Sequence, residues 1–225
     1  NTEDFMNLTP NIFLFHVHNE AMAAAVRAFE TDWPEAKISN VLEDGLFEWV
    51  RETGRVVPEM YKAFDTLTEY AVNRGAEGIL YSCSAFGECI DACIIKYKIP
   101  LLKPNDAMIE KALGYGSKIA IVATVAATIP TIAIEIENIA ASHKIPVKFS
   151  SYVVDGAFDA LADGNPEKHN DLVAKEVSKI SDCDVIVLAQ FTLSRAAPIL
   201  DQLTKIPVLN SPSAAVAKMR DLINL

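Results

Sequence analysis

The chain alternates short apolar runs with amphipathic segments, and the pattern repeats after 107 residues. Ile12–His18 (IFLFHVH) falls on Ile119–Val125, and Gly78–Cys83 (GILYSC) falls on Val185–Gln190. Lys98-Ile99-Pro100-Leu101-Leu102 falls on Lys205-Ile206-Pro207-Val208-Leu209, and Ala107 falls on Ala214. One offset aligns three separate runs in order and without a gap, so the 225 residues read as two similar halves. These runs suit strands buried on both faces, as in parallel sheets covered by helices. Further strands are read at Lys37–Leu42 and Val147–Val154. Helices are read at Glu20–Thr31 and Pro58–Arg74, after Cys83, after Pro104, and around Ile132–Ile139. The rest lie around Val173–Ile180, after Gln190, and from about Ser213.

This pattern predicts an α/β fold of two flavodoxin-like (Rossmann-like) parallel-sheet halves related by a pseudo-twofold. Residues 1–104 plus 206–225 are assigned to the first half and 105–205 to the second. Ligands of open α/β sheets bind beyond the carboxyl ends of the strands. The active site is therefore expected in the cleft between the halves. The 107-related pairs Cys83 with Gln190, Ser84 with Phe191, Ala85 with Thr192 and Val17 with Thr124 would face each other there.

Composition narrows the partners. The net charge of −10 and the lack of a Lys/Arg cluster argue against nucleic acid, whose binders need a basic face. The longest uncharged run, IAIVATVAATIPTIAI, has 16 residues and contains Pro130, short of a bilayer span. The acidic N-terminus, NTEDFMNLTP, does not resemble a signal peptide. Three of the four cysteines, Cys83, Cys89 and Cys93, crowd into one stretch, which is no disulfide framework. A reduced, cytoplasmic protein is expected, and a homo-oligomer is left open.

Cys83 is the leading chemical candidate. It ends an apolar strand and precedes a helix in SCSAFGE, where helix N–H groups stabilise a thiolate. The N–H groups of Ser84 and Ala85 are placed to hold a carboxylate or an oxyanion. His16 and His18 end the first strand, with His16 a candidate proton relay. Lys103 could supply positive charge to an anionic substrate, and Arg195 is expected at the surface. Cys89 and Cys93 share a helix face but lack zinc spacing, so core packing is the reading and no metal is assigned. No phosphate-binding glycine motif follows a strand.

GILYSCSAFG, the mirrored VIVLAQFTLS, LLKPNDAM and VLAQFTLSRAA resemble the aspartate/glutamate/hydantoin racemase superfamily, specifically a racemase-like subgroup. Maleate isomerase and arylmalonate decarboxylase are relatives. The resemblance spans the chain and implies cofactor-independent chemistry at a carbon next to a carboxylate. In the racemases one cysteine from each half removes or delivers the proton on opposite faces. Cys83 matches the first cysteine, and Ser84 and Ala85 match the carboxylate-binding turn after it. Thr124, in VATVAAT, resembles the Gly-Thr turn of the second half, and Phe191 and Thr192 match its helix start. Gln190 stands where two-base members carry the second cysteine, and an amide does not transfer a proton at neutral pH.

The expected function is an isomerase or racemase-type enzyme acting on a small carboxylate, without cofactor. Cys83 would be base, acid or nucleophile, and Gln190 would orient substrate or water. His16, Ser84, Ala85, Lys103, Thr124, Phe191 and Thr192 would bind substrate. The alternatives are a one-cysteine decarboxylase or lyase, and a non-catalytic carboxylate-binding protein.

Overall fold

A computed structural model describes residues 9–224. The segment Asn1–Leu8, which holds most of the N-terminal stretch discussed above, lies outside the described residues, as does Leu225. The chain forms two compact units, one of residues up to Leu102 together with those from Met219 onward, the other Lys103–Lys218.

The first unit holds β1 (Asn11–His16), β2 (Lys37–Leu42), β3 (Gly78–Tyr81) and β4 (Leu101–Leu102). They form a parallel sheet in the order β2-β1-β3-β4. Its helices are α1 (Asn19–Asp32), α2 (Gly45–Thr53), α3 (Pro58–Asn73) and α4 (Gly87–Lys96). His18 caps α1 by accepting the Ala21 N–H, and Pro58 opens α3, where a missing N–H costs nothing. Phe13, Phe15, Ile79 and Tyr81 pack against Met60, Phe64 and Ile90 in the core.

The second unit repeats the plan. β5 (Lys118–Ala123), β6 (Lys148–Val153), β7 (Val185–Leu188) and β8 (Val208–Asn210) form a parallel sheet in the order β6-β5-β7-β8. α5 (Asp106–Leu113), α6 (Thr128–Ser142), α7 (Ala157–Ala162), α8 (Pro166–Val177) and α9 (Ala197–Leu203) surround it, and α10 (Ser211–Ile223) ends the chain. The uncharged run is divided between β5 and α6. Among the described residues no helix is long and apolar enough to cross a membrane.

The 107-residue offset holds at the level of register. Ile12 pairs with Gly78 and Ile119 with Val185, while Ile79 pairs with Leu101 and Ile186 with Val208. Single bonds repeat too. Asn11 N–H donates to the Glu77 carboxylate and Lys118 N–H to the Asp184 carboxylate, both at 2.8 Å.

One boundary is corrected. Residues from 206 were assigned to the first half, but β8 pairs with β7 in the second sheet as β4 pairs with β3 in the first. Only the residues from Met219 onward belong to the first unit. There Met219 packs so closely over Gly78 that a Cβ on that glycine would collide with its sulfur. α5 follows β4 yet belongs to the second unit, where Met108, Ile109 and Ala112 join the core of Ile121, Ile136 and Val187.

Two helices had no expectation. α2 buries only Leu46, and α7 has six residues, so neither leaves a strong apolar period.

Candidate active site

In a parallel sheet of this order, the strand order reverses between β1 and β3, and the carboxyl ends of those strands frame the binding position. In the first unit these ends are His16-Val17 and Ser82-Cys83. In the second they are Ala123-Thr124 and Ala189-Gln190. The backbone beyond each strand is held in the same way, since Ser82 N–H donates to Phe15 O and Ala189 N–H to Val122 O.

Cys83 has extended backbone and leads into a 3-10 turn, Ser84–Phe86, before α4 begins at Gly87. The expected direct entry into a helix is thus replaced by one tight turn, which moves the end of the α4 dipole away from the thiol. The dipole's effect fades within about a turn. Cys83 is half-buried and Ala85 is exposed, with Ser84 intermediate. The other two clustered cysteines are core residues. Cys89 and Cys93 are buried among Phe64, Phe86 and Ile90. Burial pushes the Cys89 thiol up to about 12 and raises Cys93 as well. Cys183 lies before β7, at its amino end, and its thiol is raised by burial and then by neighbouring Asp184. No described cysteine is in a disulfide.

His16 is 2% exposed and both of its ring nitrogens are engaged. Nδ1 lies 2.9 Å from Ser82 Oγ, and Nε2 lies 3.0 Å from Asn40 Oδ1. Asn40 Oδ1 only accepts, so Nε2 carries the proton and Nδ1 accepts from the Ser82 hydroxyl. Burial lowers the His16 pKa to about 4, against the opposing bond to Asn40 and with a smaller lowering from His18. The ring is neutral at pH 7. Next to it is a cavity lined by His16, Val17, Glu43, Leu46, Phe64 and Cys83 among others. It has about 10 Å³ for a water centre, close to what one water needs.

In the second unit Gln190 and Thr124 meet. The Thr124 N–H donates to Gln190 Oε1 at 2.7 Å, and the Thr124 hydroxyl donates to the same oxygen at 2.9 Å. Thr124 is buried and Gln190 half-buried. Gln190 opens a 3-10 segment, Phe191–Ala196, with backbone angles close to those of Cys83. The side chain of Phe191 is buried, that of Thr192 is intermediate. Arg195, expected at the surface, is half-buried.

Lys103 forms an ion pair with Asp106 at 3.7 Å, so its charge is already partly balanced. Beside it Asn105 donates to Glu135 at 2.7 Å and accepts from Ser211 at 2.7 Å, tying α5, α6 and α10. Burial raises the Glu135 carboxyl.

Sequence reasoning missed Asn40, Ser82 and Glu43. Asn40 lies in the carboxyl half of β2, Glu43 just after β2 and Ser82 just after β3, and only the pairing of both strands with β1 brings them together.

A sequence model of the Asp/Glu/Hydantoin racemase family matches residues 47–219. Solved structures share the fold at low identity. An aspartate racemase homologue from Pyrococcus horikoshii OT3 is 16% identical, with TM-score 0.70 over 96% of this chain and 99% of that one. An allantoin racemase from Klebsiella pneumoniae is 17% identical, with TM-score 0.69 over 96% and 88%. A glutamate racemase from Bacillus anthracis is 14% identical, with TM-score 0.67 over 96% and 82%. Among curated proteins none matches in sequence. The family match extends over most of the chain and agrees with its duplicated α/β plan, and the chain belongs to the Asp/Glu/hydantoin racemase family.

Proposed function

We propose that the protein is a cofactor-independent enzyme that transfers a proton at the carbon next to the carboxylate of a small acid or amino acid, with Cys83 as the transferring group. The observation that carries this reading is the place of Cys83. It is the one cysteine at the carboxyl end of a strand flanking the switch point, half-buried beside a small, mostly apolar cavity that His16 and Glu43 also line. As thiolate it takes the Cα proton, leaving the electron pair on an enediolate. As thiol it returns the proton to that carbon. Ser84 and Ala85 are proposed to hold the carboxylate through their N–H groups, with Phe191 and Thr192 in the matching role in the second unit. Lys103, shared with Asp106, adds charge.

Gln190 favours a one-acid variant of the reaction. Its amide supplies no proton, and its oxygen is already bound by Thr124. Proton delivery by Cys83 to one face suits a decarboxylase or lyase as well as an isomerase. The test follows small 2-substituted carboxylic acids and malonates by NMR in D2O, with the native protein and Cys83→Ala. Deuterium enters the α-position with the native protein. In the variant the rate falls at least about 100-fold, the scale of a lost acid–base group. Retention of α-deuteration by Cys83→Ala sinks the proposal. Net loss of CO2 with a single labelled enantiomer selects the decarboxylase, and exchange without loss selects the isomerase.

A further inference from the structure

We propose that Gln190 is a specificity-determining residue that closes the two Thr124 donors at the carboxyl end of β5 to a carboxylate. This deepens the small-carboxylate reading and rests on it. Two donors of Thr124, the backbone N–H and the hydroxyl, converge on one oxygen at 2.7 and 2.9 Å. Such a pair fits one oxygen of a carboxylate, and charged acceptors bind such donors more strongly than neutral ones. Here the chain supplies the oxygen itself. Oε1 of Gln190 fills the position, because Nε2 is donor-only and cannot accept either hydrogen.

The first unit has no equivalent. Under the 107-residue offset Thr124 corresponds to Val17, which has no hydroxyl, and Gln190 corresponds to Cys83. The closure is therefore a property of the second unit alone. A tethered side chain competes at high effective concentration, on the order of millimolar or above. A free carboxylate must displace it and lose the amide's bonds to both donors. What remains for a ligand at this end is the Nε2 amino group, a donor without charge.

The experiment follows the Thr124 backbone amide by NMR during titration with acetate and with succinate. In the native protein this amide is protected from exchange and neither probe shifts it. In Gln190→Ala the position is vacated and both probes shift it, with affinity gained by more than about tenfold, as a charge-assisted bond supplies. Thr124→Val in the Gln190→Ala background removes the gain. A native Thr124 amide that titrates with acetate overturns the proposal without any variant. A folded Gln190→Ala protein that gains no binding overturns it too. Cys83→Ala leaves the acetate titration unchanged, so failure of the proton-transfer reading shows in turnover and failure of this one shows in binding.

Discussion

His16 is a titratable group inside the first core. Its ring is desolvated, held by Asn40 on one side and Ser82 on the other, and its pKa is lowered to about 4. In the unfolded chain it titrates near 6.5. A group with a lowered folded pKa binds its proton more readily when unfolded, so stability is complete above pH 6.5 and is lost as pH falls toward 4. The shift corresponds to about 3 kcal/mol. Urea unfolding between pH 8 and pH 4 should show that loss in the native protein and a flatter profile in His16→Gln. Equal pH slopes in the two proteins would count against a neutral, buried His16. The candidate residues differed in how well the sequence showed them. Cys83 was visible because it closes an apolar run. Asn40 and Ser82 were not, because their role comes from strand pairing, which brings residues 24 and 66 positions away onto one imidazole. The contact of Gln190 with Thr124 was hidden for the same reason, though both residues were singled out.

At the scale of elements, β3 and the end of α10 pack closely in the first unit. Gly78 starts β3, and a Cβ there would meet the end of the fully buried Met219 side chain, with Ile223 also close. Gly78→Ala is expected to force that side chain aside at a cost of about 1–3 kcal/mol, as for other overpacked cores. Chemical denaturation measures the loss. Shortening the neighbour in a Gly78→Ala/Met219→Val double variant should cost less than the two single losses combined, since the residues touch. Additive losses would show that the contact does not govern the site. The strands were legible because both faces are buried, which leaves unbroken apolar runs such as GILY and VIVL. The turns after Cys83 and Gln190 read as helix starts, because 3-10 and α segments share local composition. α2 escaped notice because one buried residue gives no period.

At the scale of the whole molecule, the duplication governs both the fold and its asymmetry. The offset of 107 was readable because paired strands keep their spacing in each half. β2 and β6 depart from it, pairing Asn11 with Lys37 but Lys118 with Lys148, because the helical connection from the first strand to the second is longer in the second unit. The course of the chain end was read wrongly because local pattern marks a strand without naming its partner. β8 stays with β7, and only the end of α10 serves the first unit. That division yields a directional prediction. Met219 covers the start of β3, so removing residues 219–225 uncovers apolar surface in the first unit while leaving β5 to β8 paired. Loss of a buried side chain of this kind costs roughly 2–5 kcal/mol. Hydrogen exchange should then quicken in β1 and β3, and the amides of β5 and β7 should keep their protection. Equal acceleration in both sheets would mean that the two units unfold as one cooperative body and that the tail stabilises the whole. Acceleration confined to the second sheet would contradict the assignment of the tail to the first unit.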